Sequence, residues 1–517
     1  MTRKTRPYLF YDTTQSVCTQ CLRQVEAKIV IKAPWADEIH RPAPRGGQEP
    51  WGGPDVPGKD DHVYMDKWCP IHGAERVLIA DDAAYYRLGR EVFVKAPEMP
   101  RSFSTEMRHG CPYDCGLCPD HMQHACLAVV EITDHCNLRC PTCYASSGPE
   151  RLTHRTLDEV RAMLDAVVAS EGEPDVVQLS GGEPTLHPQF FEVLAEARAR
   201  PIRHLMLNTN GIRIAQDAHF AQQLADTLKG PRSGPPQGFE VYLQFDSLQR
   251  EPLMDLRGAD LRRVRDQALA RLNALDLSTT LVMTVKRGVN DQEIGEVIRF
   301  AAQQPCVRGV TLQPVQDAGR VEGYDPRLHR LTVSEVRRRI VEQSGLFTAE
   351  DVVPVPCNPD TLAMAYAVKT ADGLQPLTRF LDPRTLVESA GNTIVFERDE
   401  SLKQQVFKLF STNHSPESQA GALSELMCCL PQIAAPAGLG YRNVFRVLIV
   451  QFMDALSLDI RALKKSCIHM ARPDGRLIPF ESYNLFYRDD KALLLDQLRA
   501  ELDGFHAHRR IPIDSTP

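Results

Sequence analysis

Short apolar runs bounded by polar or turn-forming residues recur from Leu127 onward. LAVVEIT (127–133), DVVQLS (175–180), HLMLN (204–208), FEVYLQF (239–245), TLVMTV (280–285) and GVTLQPV (309–315) each have the length and composition of a strand buried on both faces. Helical patterns separate them. TLDEVRAMLDAVVAS (156–170) opens on Thr156 with Glu159 three residues later, the spacing of a capping box, and TVSEVRRRI (332–340) repeats the device with Thr332 and Glu335. Six β-α units in a row predict an α/β fold with a parallel sheet, open or curled into a partial barrel. In such sheets chemistry gathers at the C-terminal strand ends.

Outside residues 127–345 the alternation is absent. Residues 1–97 hold paired cysteines around a Pro- and Gly-rich stretch, and residues 98–126 are a cysteine cluster. Residues 346–517 read as a separate mixed or helical C-terminal domain, with an extended VVPVPCNPD (352–360) and helical stretches around 424–433, 443–465 and 490–503. Within it, Val444–Leu458 reads as a helix with a broad apolar face. No window reaches the ~18 uninterrupted apolar residues of a membrane span. The basic N-terminus lacks an apolar signal core, so the expected location is cytoplasmic.

Charge and cysteine usage narrow the function. A net charge of −7 without a long basic run, and 7% aromatic residues, disfavour a nucleic-acid partner. Fifteen cysteines are many for such a chain. In a reducing compartment, clustered cysteines bind metal more often than they pair as disulfides.

CTQC (Cys18, Cys21) and CPIHG (Cys69, His72) form two knuckles that together make a Cys3His tetrahedron for zinc or a single iron. The spacing C-x3-C-x2-C then occurs twice, as Cys111, Cys115, Cys118 and as Cys136, Cys140, Cys143. Four thiolates saturate a [4Fe–4S] cluster. With Cys126 the first set closes a cluster, whereas the second lacks a fourth cysteine and leaves one iron open to a ligand. Zinc held by that second set with His135 is the alternative. Cys306 reads as structural.

The segment CNLRCPTCY (136–144), with Tyr144 after the third cysteine, resembles the cluster motif of the radical S-adenosylmethionine (SAM) superfamily. SGGEPT (180–185), NTNG (208–211) and GVNDQEI (288–294) resemble further elements of that superfamily, in order and at predicted strand ends. The resemblance implies a radical SAM partial (β/α)6 barrel, a reactive cluster on Cys136, Cys140 and Cys143, and reductive cleavage of SAM. It implies SAM contacts from Tyr144, Gly181, Gly182 and Glu183. Asn208, Asn210, Gln244, Asp246 and Asn290 lie near strand ends and are further candidates.

RHGCPYDCGLCPDH (108–121), CPIHG (69–73), PCNPD (356–360), CCLP (428–431) and IPFESYNLFYR (478–488) together resemble the archaeal tetraether lipid synthase family. That family joins the terminal methyl carbons of two lipid chains. Methylation of a hydroxymethyl-dihydropterin is an older proposal for one member. The resemblance implies a mononuclear metal on Cys18, Cys21, Cys69 and His72, and an auxiliary cluster on Cys111, Cys115, Cys118 and Cys126. It also implies a third cluster using Cys357, Cys429 and Cys467, with Cys428 beside them. His109, His121 and His124 flank the first set and can tune it by hydrogen bonding.

The expected enzyme therefore couples or alkylates an unactivated carbon of a lipid chain. It needs a reductase or a ferredoxin- or flavodoxin-type electron donor, and peripheral membrane contact fits a lipid substrate. Methyl or methylene transfer to a pterin or other soluble metabolite is the alternative. A non-catalytic iron–sulfur carrier or zinc-knuckle binder is the third reading.

Overall fold

The computed structural model of the 517-residue chain describes residues 8–32, 61–94, 96, 98–230, 237–370, 373–379, 443–488 and 491–509. β1 (Leu9–Val17), β2 (Gln24–Lys32), β3 (His62–Cys69) and β4 (Gly73–Ala80) form an antiparallel sheet in sequence order. Alternate residues such as Ile29, Ile31, Val63 and Met65 pack with Ala83 and Tyr86 of α1 (Ala83–Glu91). Asp82 caps that helix by accepting from Tyr85 N at 2.8 Å. The β1–β2 and β3–β4 turns emerge at the same end of the sheet, which brings the two cysteine knuckles together.

β5 (Leu127–Thr133) leads the main sheet and is followed by a two-residue strand, β6 (Thr142–Cys143), that stays outside it. β7 (Val176–Gly181), β8 (His204–Thr209), β9 (Gly238–Gln244), β10 (Thr279–Val285) and β11 (Val307–Pro314) continue from β5 as parallel neighbours. The sequence boundaries fall within two residues of these. Helices α2 (Leu157–Glu171), α3 (Phe190–Ala199), α4 (Ile212–Gln216), α5 (Ala218–Lys229), α6 (Arg250–Arg257), α7 (Arg262–Leu275) and α8 (Ile294–Gln303) join the strands. α9 (Pro326–His329) and α10 (Val333–Ser344) follow. Both predicted capping boxes form, at Thr156–Glu159 and Thr332–Glu335.

The period of two along each strand divides the sheet into two faces. Ala128, Val130, Ile132, Val177 and Leu179 point outward and pack with Val160, Met163 and Leu164 of α2. Each Val or Leu so buried contributes about 1.5–3 kcal/mol. Their alternates Val129, Gln178, Met206, Tyr242 and Thr311 face a lumen inside the curved sheet. At the N-terminal strand ends that lumen meets a buried ion pair, Arg446 Nη2 to both Glu240 carboxylate oxygens at 2.7 Å, with Thr280 bonded to the same carboxylate.

The C-terminal region does not stand apart as the sequence led us to expect. β12 (Arg320–Val321) pairs with β6. β13 (Val353–Pro354), β14 (Leu362–Thr370), β15 (Gly373–Pro376) and β16 (Val444–Val450) extend one edge of the main sheet, with β16 parallel to β11. β17 (Ile468–Ala471) and β18 (Leu477–Pro479) extend the other edge, with β17 parallel to β5. The reading of Val444–Leu458 as a helix is therefore corrected: its first seven residues are a strand, with Phe445, Val447 and Ile449 packed in the core and Arg446, Leu448 and Val450 facing the lumen. The predicted helix at 490–503 is present as Ala492–Arg509, while 424–433 lies outside the described residues. Among the described residues, no helix is long and apolar enough to cross a membrane.

Candidate active site and metal centres

The loop that follows β5 carries Cys136, Cys140 and Cys143 to the C-terminal mouth of the barrel, where all three border the lumen. Arg320 fixes the loop by donating to Cys140 O at 2.6 Å and to Ser147 O at 2.7 Å, and Cys143 pairs with Arg320 across β6 and β12. The three thiols are free of disulfides. Burial, and then the nearby Glu183 carboxylate, push the Cys136 thiol up to about 12. It becomes a thiolate when a cation neutralises it, which suits a soft metal donor.

The Gly-Gly-Glu-Pro turn at the end of β7 lies against this loop. Gly181 has φ +127°, and a Cβ there would collide with Thr133 O; one at Gly182 would collide with His135 O. Glycine is what allows the two backbones to touch, through Gly182 N to Thr133 O at 2.7 Å and Glu183 N to His135 O at 2.8 Å. Both glycines border the lumen, but the Glu183 side chain points away from it. Fully buried, it accepts from Thr185 Oγ1 at 2.6 Å, Thr209 Oγ1 at 2.7 Å and Asn210 N at 2.8 Å. Its work is to stitch the end of β7 to the end of β8.

Around the mouth, polar side chains form one connected belt. Tyr144 Oη lies 3.4 Å from Ser180 Oγ, which accepts from Asn208 Nδ2 at 3.0 Å. Asn208 Oδ1 accepts from Gln244 Nε2 at 2.8 Å, and Gln244 Oε1 accepts from Arg257 Nη2 at 3.1 Å. Arg257 then grips Asp246, through Nε at 2.7 Å and Nη2 at 2.6 Å, and Arg265 donates to the same carboxylate at 2.9 Å. Asp246 is held at φ +64° by Asn290, whose Nδ2 donates to Asp246 O at 3.0 Å.

Of the expected contacts, Tyr144, Gly181, Gly182, Asn208, Asn210 and Gln244 border the lumen. Glu183, Asp246 and Asn290 do not; they hold the residues that do. Arg257, Arg265 and Arg320 are additions the sequence did not single out, because each is an arginine among many with no spacing to mark it. Buried polar atoms without a partner among the described residues border the lumen too: Thr142 Oγ1, Gln316 Oε1, and Arg265 Nε and Nη1. With Arg257 they form a donor and acceptor set that fits a zwitterionic, carboxylate-bearing cofactor such as SAM.

Beside these polar groups the lumen wall carries apolar side chains. Leu127, Val129, Met206, Leu448 and Val450 contribute, and Phe452 stacks on Phe480 with ring centroids 3.9 Å apart. Residues expected to offer an apolar helical face thus do border the cavity, but from a strand.

A second cysteine set opens on the same cavity. Cys126, Cys357 and Cys467 bring their sulfurs within 4.8 Å of one another and all border the lumen. This corrects the assignment of Cys126 to the first triplet. Cys126 directly precedes β5 and Cys467 directly precedes β17, and the parallel pairing of those strands sets the two side by side. Leu127 N donates to Cys467 O at 3.0 Å. Cys429 and Cys428 lie outside the described residues. His124 lies beside this set, with Nε2 3.5 Å from Cys126 Sγ and Nδ1 2.9 Å from Glu171.

Of the first triplet, the Cys111 and Cys115 thiols interact and Cys118 lies close enough to act on them electrostatically, but the three sulfurs do not gather within 4.8 Å of one another as those of Cys126, Cys357 and Cys467 do. His121 instead faces His469, at 3.2 Å between ring nitrogens, and His109 bonds Asp114. In the N-terminal sheet, Cys18, Cys21, Cys69 and His72 place their ligand atoms within 4.8 Å of one another, with Cys18 Sγ 3.3 Å from His72 Nδ1. Burial works to raise the Cys69 thiol, yet backbone N–H groups of His72 and Ile71 outweigh it and bring it down to about 6. A thiolate so readily formed is a metal donor.

Comparison with known proteins bears on the same region. Residues 130–301 match the Radical SAM superfamily. The 7,8-dihydro-6-hydroxymethylpterin dimethyltransferase of Methanocaldococcus jannaschii is 29% identical over 476 residues, covering 84% of this chain and 90% of that relative. The GTP 3',8-cyclase of Syntrophomonas wolfei is 31% identical over 195 residues, covering 36% of this chain and 55% of that enzyme. Among solved structures, Streptococcus suis SuiB bound to S-adenosylmethionine aligns with 39% of this chain and 44% of its own, at 16% identity and a TM-score of 0.32.

Proposed function

We propose that this chain, whose residues 130–301 match the Radical SAM superfamily, holds an iron–sulfur cluster on Cys136, Cys140 and Cys143 and modifies an unactivated carbon of an apolar chain lodged in the barrel lumen. One observation carries the reading. The three-thiol loop opens onto a cavity whose wall includes the apolar side chains of Leu127, Val129, Met206, Leu448, Phe452 and Phe480. An alkyl chain gains about 25 cal/mol for each Å² it buries against such a wall. It offers C–H bonds without a polar handle, the kind of substrate that acid–base chemistry cannot activate.

Cys136, Cys140 and Cys143 would hold the cluster and the residues at the mouth would hold SAM, and together the two groups would supply the one-electron chemistry that removes hydrogen from such a carbon. The residues of the chain do the positioning. Gly181 and Gly182 let backbone approach the cofactor, Arg257 and Arg265 offer guanidinium groups for its carboxylate, and Asn208 and Gln244 present amides at the mouth. The apolar wall keeps water from a reactive carbon. Coupling of two chains is the preferred outcome, with electrons from a ferredoxin- or flavodoxin-type donor. Cys126, Cys357 and Cys467, the first triplet and the Cys3His set are the proposed sites of the additional metal centres.

A second reading has its own support. Gln178, Tyr242 and Gln313 put hydrogen-bonding groups into the lumen, with Gln313 Nε2 3.1 Å from Tyr242 Oη. Such groups suit a heterocycle, and the M. jannaschii relative is named for a pterin. Mass spectrometry of acid-hydrolysed membrane lipids from cells with and without the gene separates the two. Loss of species with the mass of two chains joined tail to tail supports coupling. Unchanged lipids with altered pterins support the second reading.

A further inference from the structure

One short segment, Phe480–Arg488, touches both the first cysteine triplet and the mouth of the barrel. It begins with a helical turn and continues as a π-helix over Tyr483–Tyr487, a geometry that often marks functional positions. Phe480 forms lumen wall and lies 5.0 Å from the Tyr144 ring. Tyr487 Oη accepts from Cys115 N at 2.9 Å and donates to Tyr113 O at 2.7 Å. The next residue, Arg488, turns the other way. Its guanidinium lies over two rings, 4.8 Å from the centre of Tyr483 and 5.4 Å from that of Tyr144, and donates to Asn484 Oδ1 at 2.7 Å and to Glu131 Oε1 of β5 at 2.9 Å.

Arg488 therefore extends the belt at the mouth. Glu131 leads to Arg488, Arg488 to the Tyr144 face, and Tyr144 to Ser180, Asn208, Gln244 and Arg257. Arg488 and Glu131 are both buried, and burying an ion pair costs desolvation that the attraction alone need not recover. A pair that served only to attach the C-terminal region would be replaceable by apolar side chains. A cation held near the face of the ring that follows the third cysteine does something an apolar side chain cannot: it attracts that face electrostatically.

We propose that Arg488 is a positioning residue for the SAM site, setting Tyr144 through a cation–π contact while Glu131 holds it, and that Tyr487 ties this arrangement to the backbone of the first cysteine triplet. The inference rests on the reading that SAM binds at the barrel mouth. By linkage, order at the first triplet and affinity at the mouth favour each other.

The test uses the full-length, cluster-reconstituted enzyme. SAM affinity is measured by equilibrium dialysis, beside melting temperature, iron content and the change SAM causes in the electron paramagnetic resonance of the reduced cluster. Arg488→Gln and Glu131→Gln are each expected to weaken SAM binding about tenfold. The double variant is expected to be no weaker than the worse single one, since both act through one contact. Arg488→Lys keeps the charge but not the planar face. It is expected to recover melting temperature without recovering affinity or the spectral change, and it serves where the glutamine variant fails to fold. Tyr487→Phe is expected to weaken SAM binding severalfold with iron content unchanged. Lower melting temperatures with unchanged affinity would overturn the proposal alone. A wild-type enzyme that binds no SAM would overturn the site reading with it.

Discussion

The sulfurs of Cys357 and Cys467 lie 3.8 Å apart although 110 residues separate them in the chain. Cys126 completes the group, in the cleft where the two edges of the main sheet approach each other. Val355, Leu362 and Val450 pack there from one edge, and Ile468 from the other.

This grouping has a direct consequence for spectroscopy. Cys126→Ser and Cys357→Ser are expected to remove the same metal species, while Cys111→Ser removes a different one. Iron content with Mössbauer spectra of the reconstituted variants reads the difference. If Cys126→Ser and Cys111→Ser abolish one common signal, Cys126 belongs to the first triplet after all.

Cys136→Ala is expected to abolish SAM cleavage and to leave the metal at the N-terminal Cys3His set in place. Quantifying 5′-deoxyadenosine beside total zinc and iron checks both halves. Residual cleavage at the wild-type rate would mean that the reactive cluster lies elsewhere.

Glu183 is fully buried and accepts from three neighbours, so its exchange for glutamine turns an acceptor into a competing donor. Glu183→Gln is expected to lower stability by about 1–3 kcal/mol and to weaken SAM binding through the loosened Gly181–Gly182 turn. Denaturant melts and dialysis measure each. An unchanged midpoint would show that the stitch between β7 and β8 carries no strain-bearing load.

Lys369 of β14 donates to Gln304 O at 2.8 Å and Val307 O at 2.6 Å, which ties the C-terminal strands to the barrel. Burial, then the Arg308 charge, lower its amine from 10.5 to about 8. Between those values the unfolded chain binds more protons than the folded one, so stability rises with pH across the window. Lys369→Met lacks that rise. The stability difference is expected to shift toward the wild type between pH 8 and 10.5 and to stay flat below 8. A constant difference would contradict the shifted amine.

Much of this was legible in the sequence. Apolar runs marked the six parallel strands because strands buried on both faces need no polar alternation, and Thr156 and Thr332 announced their helices by the residue three positions on. The tight spacing of Cys136, Cys140 and Cys143 was readable because its ligands share one loop. Cys126, Cys357 and Cys467 come together only through the pairing of β5 with β17, a contact between distant segments that no local spacing encodes. Val444–Val450 was misread for a related reason. A short apolar run fits helix or strand alike until its neighbours are known. Arg488 ends the IPFESYNLFYR block, but nothing local to that block gave its role, since its partners Glu131 and Tyr144 lie more than 340 residues earlier in the chain.

The account is tested most directly by following hydrogen. Reconstituted enzyme is given reductant, SAM and a lipid with perdeuterated chains, and the mass of the 5′-deoxyadenosine is measured. The expected result is deuterium in that product, taken from the chain held in the lumen. 5′-Deoxyadenosine formed without deuterium, while a pterin in the same assay is altered, would contradict the apolar-chain substrate.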